Sequence, residues 1–478
     1  MNIFEILFFI LLVLYILWVI SFLFLEKRKP DSMVSWLLIF IIFPFIGFLI
    51  YLIFGRDFSK KKIFRLYSNE EKLMIELKKK NLDLYKEKKL NFKKILDDDI
   101  DIMELTSIMS ATGIYFNNKV KIFNDGRMKF KSLFKDIEEA KIEIYMIYYI
   151  YKNDQLGKDL RDLLIKKAKE GVAIKLLLDH MGSYMVSWGF FKELKKAGGE
   201  VCFSFPIKLN NLQFNNRNHR KIAIIDRKTA YIGGYNVGDE YIGKNKKMGY
   251  WRDTHLRVEG EIIRSLQIRF ILDWRNACKD DIIFQPEIIA DQVKKGRVTA
   301  QILTSGPDSK IEEIKLAYIE MIHKAKEYIY MQSPYFVPDE SMIDAIKSAL
   351  IRGIDVRIMI PNKPDHIFVY WATYSYIGDL LPFGLKAYKY DNGFLHAKTI
   401  VVDDKIASVG SANFDRRSFK LSFEANMFLY GKEIGRKMRV IFLHDMKKCV
   451  PITLKVYENR PLSVRLKEPI SRLISPIL

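Results

Sequence analysis

Two short stretches of the sequence carry the same residue types at the same spacing. Each contains the pattern His-x-Lys-x4-Asp, in NHRKIAIID as His219, Lys221 and Asp226 and in LHAKTIVVD as His396, Lys398 and Asp403. In an extended strand, the histidine and the lysine of one copy lie on the same face, because side chains alternate. A neutral imidazole is a nucleophile and an ammonium group holds an anion. The pattern therefore predicts chemistry on a phosphoryl group.

The presence of two copies suggests a division of labour at one phosphate. If the copies meet face to face, one histidine can attack phosphorus while the other protonates the leaving oxygen and then accepts a proton from the incoming hydroxyl. The two lysines supply the charge that a divalent ion would otherwise bring, so we expect neither a metal nor a cofactor. The alternative for a single strand histidine is a hydrogen-bonded core residue, but two matching copies favour catalysis.

The remaining polar residues of each copy have separate expected roles. By the period of two along a strand, Asp226 and Asp403 face away from the histidine and the lysine, so we interpret them as structural members of the catalytic motif. Downstream, YIGGYN and SVGSAN place Asn236 and Asn413 at the same offset from the two histidines. An asparagine amide can donate to a phosphate oxygen, and glycine lets the backbone approach a ligand. Both residue types also mark ordinary turns, which is the alternative.

A histidine that acts as a base needs a partner on its second ring nitrogen. Asp253 in YWRDTHLRV follows the first copy and Glu424 in KLSFEANMFLY follows the second, each on the next apolar strand pattern. We predict that these two carboxylates orient the histidines. The alternative is that they are solvated strand residues.

The elements that must position these residues also occur twice. The strand-helix-strand stretches AKIEIYMIYYIY, DLRDLLIKKAKEGV and AIKLLLD recur as AKEYIYMQSPYF, MIDAIKSALIRGI and DVRIMIP. Gly171 or Gly353 follows the helix each time, where a C-terminal cap requires a positive φ. The two motif histidines are 177 residues apart. This repetition predicts an α/β fold of two duplicated lobes, at residues 111–290 and 291–478.

Residues 1–56 are strongly apolar. Residues 6–25 hold no charge over 20 positions, about the length that spans a bilayer core. A second apolar run at 33–55 contains Pro44 and Gly47 near its middle. We predict two transmembrane helices, with a shallow re-entrant hairpin as the alternative. A cleaved signal peptide is disfavoured, because a basic first region and a small-residue cleavage site are both missing from the sequence.

The charge balance indicates an anionic partner. The chain has 78 Lys and Arg against 57 Asp and Glu, a formal net charge of +21. This excess suits nucleic acid or an anionic membrane surface. Lys-rich residues 57–110 predict a basic linker beside lipid headgroups, with a solvated helical linker as the alternative. Because the longer basic cluster follows the second apolar run, we predict that the large domain faces the cytoplasm.

The cysteines are few. Cys202, Cys278 and Cys449 are far apart in the sequence and odd in number. This pattern argues against a disulfide framework and against Cys-based zinc sites. A reducing compartment is the expectation that follows.

The closing stretch SVRLKEPISRLISPIL mixes apolar and basic residues. Its apolar members are Val464, Leu466, Ile470, Leu473 and Ile474. Their spacing predicts an amphipathic helix on a membrane surface, although Pro469 interrupts the pattern. Packing of the same helix against the domain is the alternative.

The paired stretches HRKIAIID and HAKTIVVD resemble the two HKD motifs of the phospholipase D superfamily. The two apolar runs, PYFVPD at 334–339, FLHAK at 394–398, GSANFDRRSF at 410–419 and the closing RLISPIL resemble the bacterial cardiolipin synthases over essentially the whole chain. This resemblance implies two phospholipase D-like α/β/α sandwich lobes that form one site. It also implies reversible phosphatidyl transfer between two phosphatidylglycerol molecules, giving cardiolipin and glycerol through a phosphohistidine intermediate.

The resemblance further implies roles for single residues. His219 is the nucleophile and His396 is the general acid and base. The phosphate is bound by Lys221, Lys398, Asn236 and Asn413. The residues alone do not say which histidine attacks, nor whether the acceptor is phosphatidylglycerol, phosphatidylethanolamine or free glycerol.

Other functions are compatible with parts of the sequence. A hydrolase acting on phospholipid or nucleic acid is one alternative, and a non-catalytic membrane scaffold is another. We expect anionic membrane lipid as the partner and no nucleic acid, because two apolar runs have no use in a nuclease. The oligomeric state does not follow from the sequence, since one chain already holds both copies of the motif.

Overall fold

The structure is a computed structural model that describes residues 3–25, 30–43, 46–47, 51, 75–76, 79, 83, 100–109, 113–206, 216–279, 296–309 and 311–475. The chain divides into two compact units. Of the described residues, those from 3 to 51 belong to an N-terminal unit, and those from 75 onward belong to a large unit.

The N-terminal unit contains helices α1 at Ile3–Leu25 and α2 at Pro30–Ile42. Helix α2 begins at a proline, whose fixed φ suits the first helical position. Trp36 and Tyr51 pack edge to face with ring centroids 5.0 Å apart. Among the residues that the structure describes, no helix combines the length and the apolar character needed to cross a membrane. Residues 44–45, 48–50 and 52–55 of the second predicted span lie outside the described residues.

The helices of the large unit alternate with its strands over most of the chain. In the described residues they are α3 Ile100–Met109, α4 Gly126–Glu138, α5 Gln155–Lys169, α6 Lys192–Lys196, α7 Ile263–Cys278, α8 Glu313–Lys324, α9 Glu340–Ile351, α10 Ile367–Leu380, α11 Arg416–Lys420, α12 Lys432–Met446, α13 Leu454–Glu458 and α14 Leu462–Ile474.

The strands of the same unit are short and mostly buried. Those of the first lobe are β1 Tyr115–Phe123, β2 Glu143–Tyr148, β3 Ala173–Asp179, β4 Glu200–Ser204, β5 Arg217–Asn218, β6 Ile222–Ile225, β7 Thr229–Gly233, β8 Trp251–Arg252 and β9 His255–Glu259. Those of the second lobe are β10 Val298–Ser305, β11 Tyr328–Gln332, β12 Phe336–Val337, β13 Asp355–Pro361, β14 Lys386–Tyr390, β15 Phe394–Leu395, β16 Thr399–Val402, β17 Ile406–Gly410, β18 Phe414–Asp415, β19 Ser422–Tyr430 and β20 Cys449–Ile452.

The main sheet repeats one strand order in the two lobes. The first lobe runs β4-β3-β2-β6-β7-β9-β1, and the second runs β14-β13-β11-β16-β17-β19-β10 with β20 added beyond β14. The lobes join where β1 and β10 pair antiparallel, with Tyr115 opposite Ala300. In each lobe a crossover helix connects a parallel pair, α5 between β2 and β3 and α9 between β11 and β13. The predicted duplicated α/β fold is confirmed.

The two crossover helices begin and end by the same chemistry. Asp154 accepts a hydrogen bond from the Gly157 amide at 3.1 Å, and Asp339 accepts one from the Met342 amide at 3.2 Å, which satisfies a free N–H of each first turn. After each helix a glycine takes a positive φ, 89° at Gly171 and 81° at Gly353. The predicted glycine caps are therefore present in both lobes.

Apolar side chains fill each lobe and the space between the lobes. The cluster between the lobes includes Leu256 of β9 and Met427 of β19, both fully buried. Strands buried on both faces explain the continuous apolar runs of the sequence. A continuous core of this kind holds the two lobes in one fixed arrangement.

The last part of the stretch predicted as a basic linker, residues 57–110, contains a helix that packs on the large unit. This helix is α3, and its Ile102 and Met103 are fully buried in the core of the second lobe. Thr106 donates a hydrogen bond to Oε1 of Gln301 at 2.6 Å. These contacts make α3 part of the large unit, because apolar burial and a buried hydrogen bond both connect it to the sheet. The predicted boundary between the lobes, at 290 and 291, lies outside the described residues.

The expectation of no disulfide is wrong. Cys202 of β4 and Cys278 at the end of α7 form a disulfide across 76 residues of sequence, with Cα atoms 5.9 Å apart. Helix α7 packs against β4, so the fold brings together two cysteines that are distant along the chain. Cys449 is a free thiol.

Candidate active site

Each motif histidine is positioned by a two-residue strand that pairs with the opposite lobe. Strand β5 lies parallel to the start of β19, with Asn218 opposite Phe423. The next backbone amide, that of His219, donates to the Phe423 carbonyl at 3.0 Å. This register places His219 beside Glu424, and Nδ1 of the imidazole lies 2.9 and 3.0 Å from the two carboxylate oxygens.

The second histidine repeats this arrangement from the other lobe. Strand β15 pairs parallel with β8, with Leu395 opposite Arg252. The His396 amide donates to the Arg252 carbonyl at 2.7 Å. Nδ1 of His396 then lies 2.6 Å from Oδ2 of Asp253. Thus two matching interlobe strand pairs position two histidine-carboxylate pairs.

The carboxylate partners are therefore crossed between the lobes. Glu424, which follows the second motif, contacts the first histidine, and Asp253, which follows the first motif, contacts the second. Both carboxylates are fully buried, so the alternative of solvated strand residues does not hold. A carboxylate accepts, so Nδ1 of His219 and of His396 carries the proton and Nε2 is the nitrogen free for chemistry.

The two lysines are buried beside the histidines. Lys221 and Lys398 are each 1% exposed, and each ammonium donates to the carbonyl oxygen of the histidine two residues earlier. Charges of one motif act on the other: Lys398 lowers the pKa of His219, and Lys221 lowers the pKa of His396. The structure thus brings both copies of the motif into one electrostatic environment.

Burial sets the protonation of this group. Desolvation lowers the pKa of His219 to about 4, although Glu424 opposes the shift, and it also lowers the pKa of His396. Burial lowers the pKa of Lys398 to about 8 and that of Lys221 well below its usual range. Burial alone raises the pKa of Glu424, but the nearby His219 and Lys221 bring it below the ordinary value. At neutral pH the site therefore holds neutral imidazoles beside an ionised Glu424.

The motif aspartates lie at the other end of their strands and bind backbone. Asp226 accepts hydrogen bonds from three consecutive amides at the start of β2, at 2.7 to 3.0 Å. Asp403 accepts three in the same way at the start of β11, at 2.7 to 3.0 Å. Both residues have positive φ, 49° and 51°. This geometry gives them a structural role in fastening a turn to the neighbouring strand.

The two asparagines differ in how far their amides are engaged. Oδ1 of Asn236 accepts from the Ile150 amide at 3.1 Å, and its Nδ2 donates to the Tyr241 hydroxyl at 3.2 Å. Oδ1 of Asn413 is buried and has no hydrogen-bond partner within the part of the chain that the structure describes. Asn413 is therefore the more available of the two, whereas Asn236 also holds the loop before it.

The glycines of YIGGYN and SVGSAN make room for side chains of their own lobe. A Cβ on Gly234 would lie 2.0 Å from Oδ1 of Asp253, and a Cβ on Gly410 would lie 2.2 Å from Oδ1 of Asn426. We expected these glycines to let the backbone approach a ligand. In the structure they instead leave room for the side chains of Asp253 and Asn426. Any larger residue at 234 would displace Asp253.

Three further contacts to the histidine-carboxylate pairs were not predicted from the sequence. The Tyr149 ring lies 4.8 Å from the His219 ring, and the Trp251 ring lies 5.2 Å from the His396 ring. The Ser411 hydroxyl donates to Glu424. An aromatic residue at the end of a strand adds nothing to a periodic pattern. Trp251, however, precedes Asp253 by two residues, so the alternation of side chains in a strand places the two on the same face.

The arrangement fits an anionic phosphodiester. Two imidazoles with free Nε2 atoms and two buried lysine side chains surround one site. In the described ranges, no cluster of three His, Cys, Asp or Glu side chains has the arrangement of a metal site. The donors present are those of nucleophilic and acid-base catalysis.

Comparison with known proteins points to one family. The family described as "Cardiolipin synthase, PLD-like domain" matches residues 133–274 and 318–446, and the family "Phospholipase_D-nuclease N-terminal" matches residues 11–56. The major cardiolipin synthase ClsA of Bacillus subtilis is 49% identical over 100% of both chains. The cardiolipin synthase of Oceanobacillus iheyensis is 48% identical over 98% of both chains.

A solved structure shares the fold at low sequence identity. The crystal structure of phosphatidylserine synthase from Haemophilus influenzae superposes with a TM-score of 0.60 at 14% identity, covering 75% of this chain and 95% of the other. At this identity the likeness concerns the fold alone. It agrees with the duplicated α/β architecture described above.

Proposed function

The chain belongs to the bacterial cardiolipin synthases of the phospholipase D superfamily, and from this premise we propose how its two histidines carry a phosphatidyl group between two phosphatidylglycerol molecules. The observation that supports this mechanism best is the pair of crossed histidine-carboxylate contacts, His219 with Glu424 and His396 with Asp253. Each leaves one imidazole nitrogen free next to a buried lysine.

In the first half-reaction, Nε2 of His219 attacks phosphorus of one phosphatidylglycerol. A phosphorus–nitrogen bond forms and the bond from phosphorus to the glycerol oxygen breaks. His396 enters this step as an imidazolium, a form that the negative charges of Asp253 and of the bound phosphodiester favour, and it gives its Nε2 proton to the glycerol oxygen as glycerol leaves. The ammonium groups of Lys221 and Lys398 stabilise the charge on the phosphoryl oxygens.

In the second half-reaction, a hydroxyl of another phosphatidylglycerol gives its proton to His396 and attacks phosphorus. The phosphorus–nitrogen bond breaks, so His219 is restored and cardiolipin is released. Two phosphatidylglycerol molecules are thereby converted into one cardiolipin and one glycerol. Because every bond made is matched by one broken, the same residues run the reaction in reverse.

The assignment of roles rests on the surroundings of each imidazole. The low pKa of His219, about 4, keeps it neutral and able to attack. The 2.6 Å contact between His396 and Asp253 is the shorter of the two, and a charge-assisted bond of that kind stabilises an imidazolium. We therefore assign His219 as nucleophile and His396 as acid and base.

Phosphate binding is assigned to four residues. They are Lys221, Lys398, Asn236 and Asn413. The lysines provide the charge, and the Nδ2 group of an asparagine can donate a hydrogen bond to a phosphate oxygen. The motif residues Asp226 and Asp403 complete the catalytic motif by holding the turns that follow the reactive strands.

The N-terminal region is proposed to hold the enzyme at the membrane. Its uncharged run at residues 6–25 and the second run at 33–55 support two membrane helices, and the Lys-rich residues after them suit anionic headgroups. A phospholipid whose acyl chains stay in the bilayer must be met at that interface. This makes the protein a multi-pass membrane enzyme in the proposal.

Two observations disagree on which side of the membrane the large unit faces. The basic cluster after the second run favours the cytoplasm, whereas the disulfide Cys202–Cys278 is a bond typical of oxidising compartments. We retain the cytoplasmic side as the prediction. An Ile351→Cys variant in a Cys449→Ser background should react with a membrane-impermeant maleimide only after lysis. Labelling in intact cells would place the domain outside.

The proposed transfer is tested with phosphatidylglycerol as the only substrate. The purified protein, with a chelator present, is incubated with the lipid in detergent, and glycerol and lipid products are followed by mass spectrometry. Cardiolipin with an equal amount of glycerol is the expected result. Phosphatidic acid in place of cardiolipin would make water the acceptor and the enzyme a phospholipase.

A further inference from the structure

The C-terminal helix α14 turns most of its large apolar side chains to solvent, whereas Val464 packs against the core of the second lobe. Four large apolar side chains on one face are between 58% and 73% exposed: Leu462, Leu466, Ile470 and Leu473. On the opposite face Glu468 and Ser471 are buried, at 3% and 1% exposure. A helix that packs on a soluble core shows the reverse pattern. This outer face therefore needs a partner.

Buried polar contacts fix the rotation of α14. The Glu468 carboxylate accepts hydrogen bonds from the Arg460 guanidinium at 2.7 and 2.9 Å and from the Tyr457 hydroxyl at 2.9 Å. At the other end of the helix, Arg472 donates to Asp379 at 2.6 Å. Turning the apolar face inward would break the Glu468 ion pair, its hydrogen bond from Tyr457 and the contact of Arg472 with Asp379. The exposure of the apolar face is thus built into the fold.

The same outer face carries positive charge. Arg465 and Lys467 are exposed and border the apolar stripe on its two sides. A helix with an apolar stripe bordered by Lys and Arg suits the headgroup region of an anionic membrane. Two copies of the chain meeting through this stripe about a two-fold axis would bring the like charges of Arg465 and Lys467 together, which disfavours self-association.

The surface of α14 continues to the active site through helix α10. The Lys467 ammonium lies 5.3 Å from the centre of the Trp371 ring on α10. The first turn of α10 exposes Ile367 and Phe368, at 63% and 51%. The helix starts just after Asp365, which accepts a hydrogen bond from the Tyr335 hydroxyl, and the residue after that tyrosine, Phe336, pairs with Phe414 directly after Asn413. The apolar surface therefore runs to the edge of the phosphate site.

We propose that the outer face of α14 and the first turn of α10 form one membrane-contact surface, which rests on an anionic bilayer beside the active site. The surface comprises Leu462, Leu466, Ile470, Leu473, Ile367 and Phe368. The inference rests on the proposed function, because an enzyme whose substrate stays in the bilayer needs a membrane-contact surface next to its two histidines. It makes the catalytic domain itself a membrane-binding element, separate from the N-terminal helices.

Contact with lipid is tested directly by fluorescence quenching in the full chain. An environment-sensitive fluorophore is attached to Leu466→Cys in a Cys449→Ser background, and the protein is reconstituted into phosphatidylcholine and phosphatidylserine vesicles with brominated acyl chains. The matched control carries the fluorophore at Ile351→Cys, which is 73% exposed and is the last residue of α9, just before the start of β13. Quenching at 466 but not at 351, weaker in phosphatidylcholine alone, is expected.

A second measurement compares two physical forms of the same substrate. The rate on long-chain phosphatidylglycerol vesicles is divided by the rate on short-chain phosphatidylglycerol below its micelle concentration. Replacing Leu466 and Ile470 by glutamate should lower this ratio about tenfold, since the apolar contribution to binding is lost. The matched substitution Ile351→Glu should leave the ratio within about twofold.

The two measurements separate this inference from the proposed function. The quenching experiment uses lipids that are not substrates, so it succeeds or fails whatever the enzyme makes. Equal quenching at 466 and 351, or quenching at 466 that disappears as the protein forms a dimer, overturns the membrane-contact surface. An unchanged rate ratio in the double glutamate variant also overturns it. Failure of the wild type to make cardiolipin from either substrate overturns only the proposed function.

Discussion

Glu424 lies 2.9 Å from Nδ1 of His219, a residue 205 positions earlier in the chain and in the other lobe. The reciprocal contact joins Asp253 to His396 across 143 positions. Neither lobe therefore contains a complete histidine-carboxylate pair of its own. The duplication of the fold supplies two similar halves, and the exchange of carboxylates makes them one active site.

The crossed carboxylates should control the reactivity of the histidines. Glu424→Gln is expected to lower kcat by roughly 10²- to 10⁴-fold with little change in KM, because the amide no longer holds Nδ1–H of His219 as an ion does. Asp253→Asn should have the same effect through His396. Steady-state kinetics across pH check this, since a merely structural role would leave the shape of the profile unchanged.

The motif aspartates should behave differently from the orienting carboxylates. Asp226→Ala removes the acceptor of three backbone amides and should lower the free energy of unfolding by about 1–3 kcal/mol. Asp403→Ala should do the same in the second lobe. Thermal melts and the activity per folded molecule are the measurements. If kcat of the folded fraction fell as far as in Glu424→Gln, these aspartates would belong to the chemistry itself.

The change in KM at alkaline pH should reflect the deprotonation of Lys398. Its pKa is lowered by burial to about 8, so the ammonium is charged below that pH and loses its charge as the pH rises through it. The affinity for the phosphodiester should therefore fall above pH 8, seen as an increase in KM. Lys398→Arg keeps its charge at higher pH, so the rise in KM should shift to a higher pH in this variant. If KM of the variant rose at the same pH as KM of the wild type, the titrating group would be a residue other than Lys398.

The disulfide should contribute to the stability of the first lobe. Cys278→Ser opens a link between residues 76 positions apart, and such links are typically worth about 2–4 kcal/mol. The melting temperature of the purified variant should fall, and a reducing agent should lower the wild type to the same value. Cys449→Ser serves as the control, since that thiol is unpaired. Equal melting temperatures under oxidising and reducing conditions would contradict a structural role.

Much of the fold and of the reactive group could be predicted from the sequence. The repeated strand-helix-strand pattern and the motif offset of 177 residues identify the duplicated lobes, because local periodicity and glycine caps act over short distances. The residue types of His219, Lys221 and their counterparts indicate phosphoryl chemistry by themselves. Asp253 and Glu424 could be selected because a base histidine requires a carboxylate or carbonyl partner.

What could not be predicted depends on contacts between distant segments. The two-residue strands β5 and β15 are too short to show any periodic pattern, yet their pairing across the lobes decides which carboxylate meets which histidine. The disulfide of Cys202 and Cys278 likewise depends on packing of α7 against β4. The inverted burial of α14 could not be read from its apolar spacing, because the same spacing fits packing inward or outward.

The measurement that tests the account most directly is the capture of the phosphatidyl group on His219. The His396→Ala variant is given a phosphatidyl ester whose leaving group is p-nitrophenol, which departs without an acid, and the mixture is quenched at alkaline pH. The account predicts one burst of p-nitrophenol and a phosphatidyl adduct on the peptide that contains His219. An adduct on His396 in a His219→Ala variant, or full turnover without any adduct, would contradict it.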